Sequence, residues 1–194
     1  MKHRMATIML LLAGASGALA QSGPDVEYQS RFLAHKGVME DGPGPVGWLV
    51  ASDTANPVQK GLVVGGEGYK GSFGWIEVMA GTFIIEGQKP DPVVDFRSSF
   101  NLPESLNLSV ELLRAFRTER TIASLSLTRP IPGTDGRLRA GVEADLIFRE
   151  GPDSKGGGFR IAYKFSSHVS LAVAYQFRFG VERDFIRSYC LFSF

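Results

Sequence analysis

Residues 159–194 read FRIAYKF-SSH-VSLAVAYQFRFG-VERD-FIRSYCLFSF, three stretches of alternating polarity joined by two short polar turns. Across Val169–Gly180 the alternation is unbroken. Val169, Leu171, Val173, Tyr175, Phe177 and Phe179 fall on one side, and Ser170, Ala172, Ala174, Gln176, Arg178 and Gly180 on the other. Successive side chains of a strand point to opposite faces, so a period of two with large apolar groups on one face marks a half-buried strand. The final residues, Phe192-Ser193-Phe194, keep this period to the end of the chain.

Working outward, Arg137–Arg149 carries the same pattern. Leu138, Ala140, Val142, Ala144, Leu146 and Phe148 oppose Arg137, Arg139, Gly141, Glu143, Asp145, Ile147 and Arg149. In Asn107–Arg117, Leu108, Val110, Leu112 and Phe116 share a face with Arg114, whose charge must then lie near an interface. A helix over 104–120 is compatible with composition. The alternation, and the matching run Ile122–Leu127, favour a hairpin with Thr118-Glu119-Arg120 at its tip. The first third is less regular. Val26–Lys36 alternates imperfectly, Glu40–Pro45 reads as a turn cluster, Gly47–Ser52 as a short apolar run and Val93–Leu102 as a weak strand. Gly66-Glu67-Gly68-Tyr69-Lys70-Gly71 spells G-x-G-x-x-G. A dinucleotide site needs a helix after that motif, and a β-like run, Phe73–Ile85, follows instead; the glycines read as a strand end or turn.

The chain has 194 residues and a net charge of +1, so one domain is expected and charge alone implies no nucleic acid partner. One cysteine, Cys190, excludes an intramolecular disulfide and a cysteine-based metal site. Neither a metal nor a cofactor is expected. Residues 1–20 have the form of an export signal: basic Lys2-His3-Arg4, an apolar run Ala6–Ala13 and the ending Ala18-Leu19-Ala20. The mature chain, residues 21–194, is read as a single β-barrel domain.

Alternation fits both a soluble sandwich, with polar faces in water, and a membrane barrel, with polar faces in the lumen. Three features favour the barrel. The polar faces carry charges of both signs able to pair in a lumen: Glu111, Arg139, Glu143, Asp145, Arg160, Lys164, Arg178 and Arg187. The apolar faces carry aromatic residues near strand ends, as membrane girdles require. The third is the terminal Phe194, with Phe192 two residues before it; a closed barrel is also the sheet that leaves no unpaired edge in hydrocarbon. The expectation is an all-β, antiparallel, up-and-down transmembrane β-barrel. Up to eleven stretches qualify as strands. Both termini of bacterial barrels lie at the periplasmic end, so the count should be even, with eight strands preferred and ten the alternative.

The Tyr163–Tyr175 segment and the Phe-Ser-Phe ending resemble the small bacterial outer-membrane barrels of the OmpA/OmpX-type group, over roughly the last third of the chain. Tyr189 stands near the position where that group usually has glycine. The resemblance implies insertion into the outer membrane of a Gram-negative cell, contact with its lipid and lipopolysaccharide, and Phe192 and Phe194 as the signal read by the barrel assembly machinery.

His168, Ser170 and Glu182 are similar in spacing to the catalytic residues of the lipid A 3-O-deacylase family, although Leu171 stands where that family has Asn. A serine with a base and an orienting carboxylate can carry out acyl transfer. The topology opposes it. The strand between the His168 turn and Glu182 rises about 3.3 Å per residue, placing them roughly 40 Å apart. The expected function is therefore a small outer-membrane barrel with a structural, interaction or small-solute passage role. The alternatives are a lipid-modifying outer-membrane esterase and a soluble periplasmic barrel that binds an apolar ligand.

Overall fold

In the computed structural model, residues 26–38, 40–54, 60–85, 87–148, 154–179 and 184–194 are described. Residues 1–20, read above as an export signal, Gln21 and Glu182 lie outside them. The alternating stretches become eleven strands: β1 (Val26–Lys36), β2 (Gly42–Thr54), β3 (Lys60–Gly71), β4 (Gly74–Ile85), β5 (Asp91–Asn101), β6 (Asn107–Ala115), β7 (Arg120–Pro130), β8 (Leu138–Phe148), β9 (Ser154–Lys164), β10 (Val169–Phe179) and β11 (Asp184–Ser193). Each strand pairs antiparallel with the next, and β1 closes the barrel by pairing parallel with β11. The helix possible over 104–120 reduces to one 3₁₀ turn, Pro103–Ser105.

The count of eight or ten strands is thereby corrected to eleven, and the wholly antiparallel pattern gains one parallel seam. The even-number rule assumes that the first and last strands run in opposite directions. Here Val26 pairs with Asp184 and His35 with Ser193, so β1 starts at the end of the barrel opposite to that where β11 finishes. Phe194 N–H donates to the carbonyl of His35 (3.1 Å), and Ser193 N–H to that of His168 (2.8 Å), fastening the end of the chain to that rim.

Two local expectations also change. The Glu40–Pro45 turn cluster is shortened, because Gly42–Pro45 already belong to β2. Pairing of β1 with β2 ends at Lys36–Gly47, so beyond it β2 is bonded only to β3. Pro43 and Pro45 thus sit where a missing N–H breaks no ladder, as proline in a sheet requires. The glycine-rich segment Gly66–Gly71 forms the end of β3, as expected for a strand end, and runs into the turn before β4. Val93–Leu102, weak in sequence, falls, except for Leu102, within one of the better buried strands, β5.

Glycines set the curvature. At the lumen-facing positions Gly66, Gly81, Gly141 and Gly158, an added Cβ would lie 2.1, 2.0, 1.9 and 1.8 Å from a carbonyl oxygen of the adjoining strand. No side chain tolerates such contacts, so the strands bend sharply at these points, as tight barrels need. Gly68 has a different task. A Cβ there would meet Val46 Cγ1 at 2.7 Å and Glu77 Cγ at 3.1 Å, so the bare backbone makes room for the Glu77 side chain.

Gly158→Ala is expected to lower stability by about 1–3 kcal/mol or to prevent folding. Gly65→Ala, whose added methyl would lie 3.7 Å from Val46 O, should stay within about 0.5 kcal/mol of the parent. Urea unfolding in detergent micelles, followed by tryptophan fluorescence, compares the two.

Candidate functional site: the lumenal charge clusters

Pairing register determines which side chains share a face. One hydrogen-bonded row runs around the lumen through Gly68, Glu77, Arg97, Glu111, Ser124, Asp145, Gly156 and Arg178. A second passes through Arg187, Ala174, Arg160 and Gly141, and a third through Arg31, Tyr189, Ala172, Ala162 and Arg139. The opposite parity faces outward: Val142, Val173 and Phe177 are 50%, 45% and 43% exposed, whereas Glu77 and Asp145 are 1% and 5% exposed. The barrel is apolar outside, and its lumen holds ionic groups beside an apolar cluster.

The first cluster is built on Trp48. His35 stacks on one face of the indole, with centroids 3.9 Å apart and planes 15° apart. The Arg97 guanidinium also lies against this ring, 4.4 Å from its centroid, a cation–π contact strengthened by exclusion of water. The indole Nε1–H donates to Glu77 Oε2 (2.7 Å), and His35 Nε2 lies 2.7 Å from Glu77 Oε1. Arg97 donates from Nε to Asp95 Oδ2 (2.9 Å) and from Nη2 to Glu111 Oε1 (3.0 Å). These pairs reach across several strands, and each buried carboxylate named has a donor. An apolar group from β2–β6 packs beside them: Val46, Leu62, Val64, Met79, Val93, Leu113 and Ala115.

The second cluster is built on Tyr189. Arg31, Arg160 and Arg187 place their Cζ atoms 5.9, 5.2 and 5.8 Å from its ring centroid. Arg187 Nη1 donates to Asp145 Oδ2 (3.1 Å) and to the Tyr189 hydroxyl (2.9 Å). Gln176, fully buried, donates from Nε2 to Glu143 Oε1 and to Asp145 Oδ2 (2.8 Å). The amide therefore holds two adjacent carboxylates, while the arginine adds charge to one of them.

The sequence-derived lumenal charges divide between these clusters and the rim. Glu111 belongs to the first cluster, and Glu143, Asp145, Arg160 and Arg187 to the second. Arg178 lies on the lumenal row through Asp145. Arg139 sits nearer the C-terminal rim, donating to Thr128 Oγ1 (3.3 Å) and Ser105 O (3.0 Å). Lys164 ends β9, exposed at the same rim. His168 is exposed in the turn before β10, with Nδ1 2.9 Å from Ser193 O, and Ser170 lies on the lumenal row with Lys164 and Leu191. Among the described residues, no group of three or more His, Cys, Asp or Glu side chains could hold a metal ion.

Sequence reasoning placed His35 in solvent or the lumen and overlooked Arg31, Trp48, Glu77, Asp95, Arg97, Gln176 and Tyr189 as members of one interior. A signal existed for four of them. Trp75-x-Glu77-x-Met79 and Asp95-x-Arg97 alternate with apolar residues, and Gln176 lies on the polar face of the Val169–Gly180 repeat.

The wall and lumen define a class: a closed β-meander barrel, inverted relative to a soluble domain, with paired charges inside. No protein-family model, curated protein or solved structure matches the chain.

Arg97→Met is expected to destabilise the barrel by about 3–5 kcal/mol, since it leaves the buried Asp95 carboxylate without its cation. The double variant Arg97→Met with Asp95→Asn should recover much of that loss, giving a coupling energy of about 1–3 kcal/mol in a double-mutant cycle. Equal and additive losses would contradict the pairing.

Proposed function

We propose that the chain is a small outer-membrane β-barrel protein with a structural or interaction role in the Gram-negative envelope, akin to the OmpA/OmpX-type group. The observation that carries this reading is the inverted wall. Large apolar side chains face outward on every part of the sheet, from Phe32, Leu49 and Val63 through Leu112, Leu125 and Val142 to Val173 and Phe177. Water rewards the opposite arrangement, and a contiguous apolar exterior of this extent marks a membrane or protein contact.

Secondary features support it. The strands contain 9–13 residues, and about 9–11 tilted residues cross a bilayer. Aromatic residues form two belts on the outer surface. Tyr69, Phe73, Phe100, Tyr163, Phe165 and Phe194 lie towards the C-terminal rim, and Phe116, Phe148, Phe177 and Phe179 towards the other. Charges of outward parity keep to the rims. Arg114 bonds Glu119 O and Thr121 Oγ1 at the β6–β7 tip, and Asp184, at the start of β11, accepts from the Tyr175 hydroxyl (2.9 Å). Glu67 pairs with Pro45 in the part of the β2–β3 hairpin that projects beyond the last β1–β2 pair. The soluble periplasmic alternative needs a polar exterior and an apolar pocket, the reverse of this distribution.

In a bilayer, Val173→Arg places a charge in the middle of the apolar band and should cost about 2–4 kcal/mol. On a water-exposed wall the same change should stay within about 0.5 kcal/mol. Heat-modifiable migration of the refolded parent in detergent gels, weakened or lost in Val173→Arg, is the expected result. Release of the parent on osmotic shock, with an unperturbed variant, would overturn the membrane reading.

A further inference from the structure

Eleven described strands close the barrel, and strands adjacent in sequence are joined by only two to seven residues. Connections this short make hairpins, because parallel neighbours need a crossover of about a dozen residues or more. Each strand therefore reverses the one before it. Ten reversals leave β11 running in the direction of β1, and the parallel seam from Val26 with Asp184 to His35 with Ser193 records that result.

The rim at which the barrel starts thus turns on whether β1 belongs to the wall. A ten-strand wall closed by β2 and β11 would start and finish at one rim. The side chains that β1 sends into the lumen decide against it. His35 stacks on Trp48 of β2, 3.9 Å between centroids, and lies 2.7 Å from Glu77 Oε1 on β4. Leu33 packs against the apolar group of β2–β6, and Arg31 lies 5.9 Å from the Tyr189 ring of β11. Only a strand set between β2 and β11 reaches all of these from inside. Without β1 in the wall, Glu77, 1% exposed, would lose its His35 partner, and the carbonyl that receives Phe194 N–H would be withdrawn.

We propose that the chain crosses its membrane an odd number of times, so that the start of β1 and the end of β11 lie on opposite sides of it. This rests on the outer-membrane reading above. Bacterial barrels of even strand number keep both ends on the periplasmic side. Here one of the two ends faces the outside of the cell whichever rim is outermost, and is open to molecules there. Loop length does not orient the barrel: connections of two to seven residues lie at the Phe194 rim, and of four or five at the other.

Cysteine accessibility in intact Gram-negative cells tests the proposal, with a maleimide coupled to a polymer too large to cross the outer membrane. Cys190 is buried, so the parent serves as the blank. Lys89→Cys, in the exposed β4–β5 connection, reports the rim where β1 begins. Ser167→Cys, in the exposed β9–β10 turn, reports the rim of Phe194. Val26→Cys should behave as Lys89→Cys does and opposite to Ser167→Cys, one side reacting in intact cells and the other only after lysis. A protease site inserted between Asp25 and Val26 gives a second reading that leaves the strands unchanged. It should be cut in intact cells only where Lys89→Cys reacts in them. Val26→Cys and the inserted site following Ser167→Cys would overturn the proposal and leave the membrane reading standing, because the two rims would still be separated. Equal reactivity of all three cysteines in intact cells would instead overturn the membrane reading, and the sidedness with it.

Discussion

A sheet with an apolar outer surface cannot leave a row of unpaired N–H and C=O groups at its edge, so everything else in this molecule depends on the seam between β1 and β11. Ten paired positions join these strands, from Val26 with Asp184 to His35 with Ser193. Ten antiparallel pairings carry the chain around the wall, and with an odd number of strands the last closure has to be parallel. The register of the seam also sets the interior. Arg31 stands beside Tyr189 because their strands pair there, and the carbonyl of His35 receives the final amide of the chain. A slip of β1 by one residue would turn Arg31 outward and bring Phe32 beside Tyr189 in the lumen.

Closure in turn requires curvature, and the curvature is carried by residues without side chains. Gly66, Gly81, Gly141 and Gly158 bend β3, β4, β8 and β9 inward, each against a neighbouring carbonyl. The same need for room recurs in the lumen. Gly68 clears space for Glu77, and Ala172 and Ala174 do so for the arginines around Tyr189. The G-x-G-x-x-G string is therefore a record of geometry. Its first glycine turns the strand and its second admits a carboxylate.

Much of the architecture was legible because period two is a local property. The faces assigned over Val169–Phe179 and Leu138–Phe148 match those in the barrel, and Arg114 does share the outer face with Leu108, Val110 and Leu112. Strand number was not legible, because it depends on how two strands distant in sequence meet, and a rule about termini was used in place of that information. The first half was harder for a physical reason. Where the lumen is lined by Val46, Leu62, Val64 and Met79, both faces of a strand are apolar or glycine, and alternation fades. Trp48 looked like part of an apolar run, yet its Nε1–H and ring face make it the hub of an ionic cluster. Arg31 and Tyr189 lie far apart in the chain, so only closure could bring them together.

Once the wall is inverted, the lumen must solve the problem that a soluble core avoids. Ionic groups withdrawn from bulk water are costly unless paired and hydrogen-bonded, and an apolar filling would often be as stable. The two clusters answer differently. Around Trp48 most of the demand is met internally: Glu77 has donors from Trp48 and His35, and Arg97 has Asp95 and Glu111, while Asp95 Oδ1 has no donor among the described residues. Around Tyr189 it is met for the carboxylates but not for every guanidinium, since the Nε groups of Arg31 and Arg160 have no acceptor among the described residues.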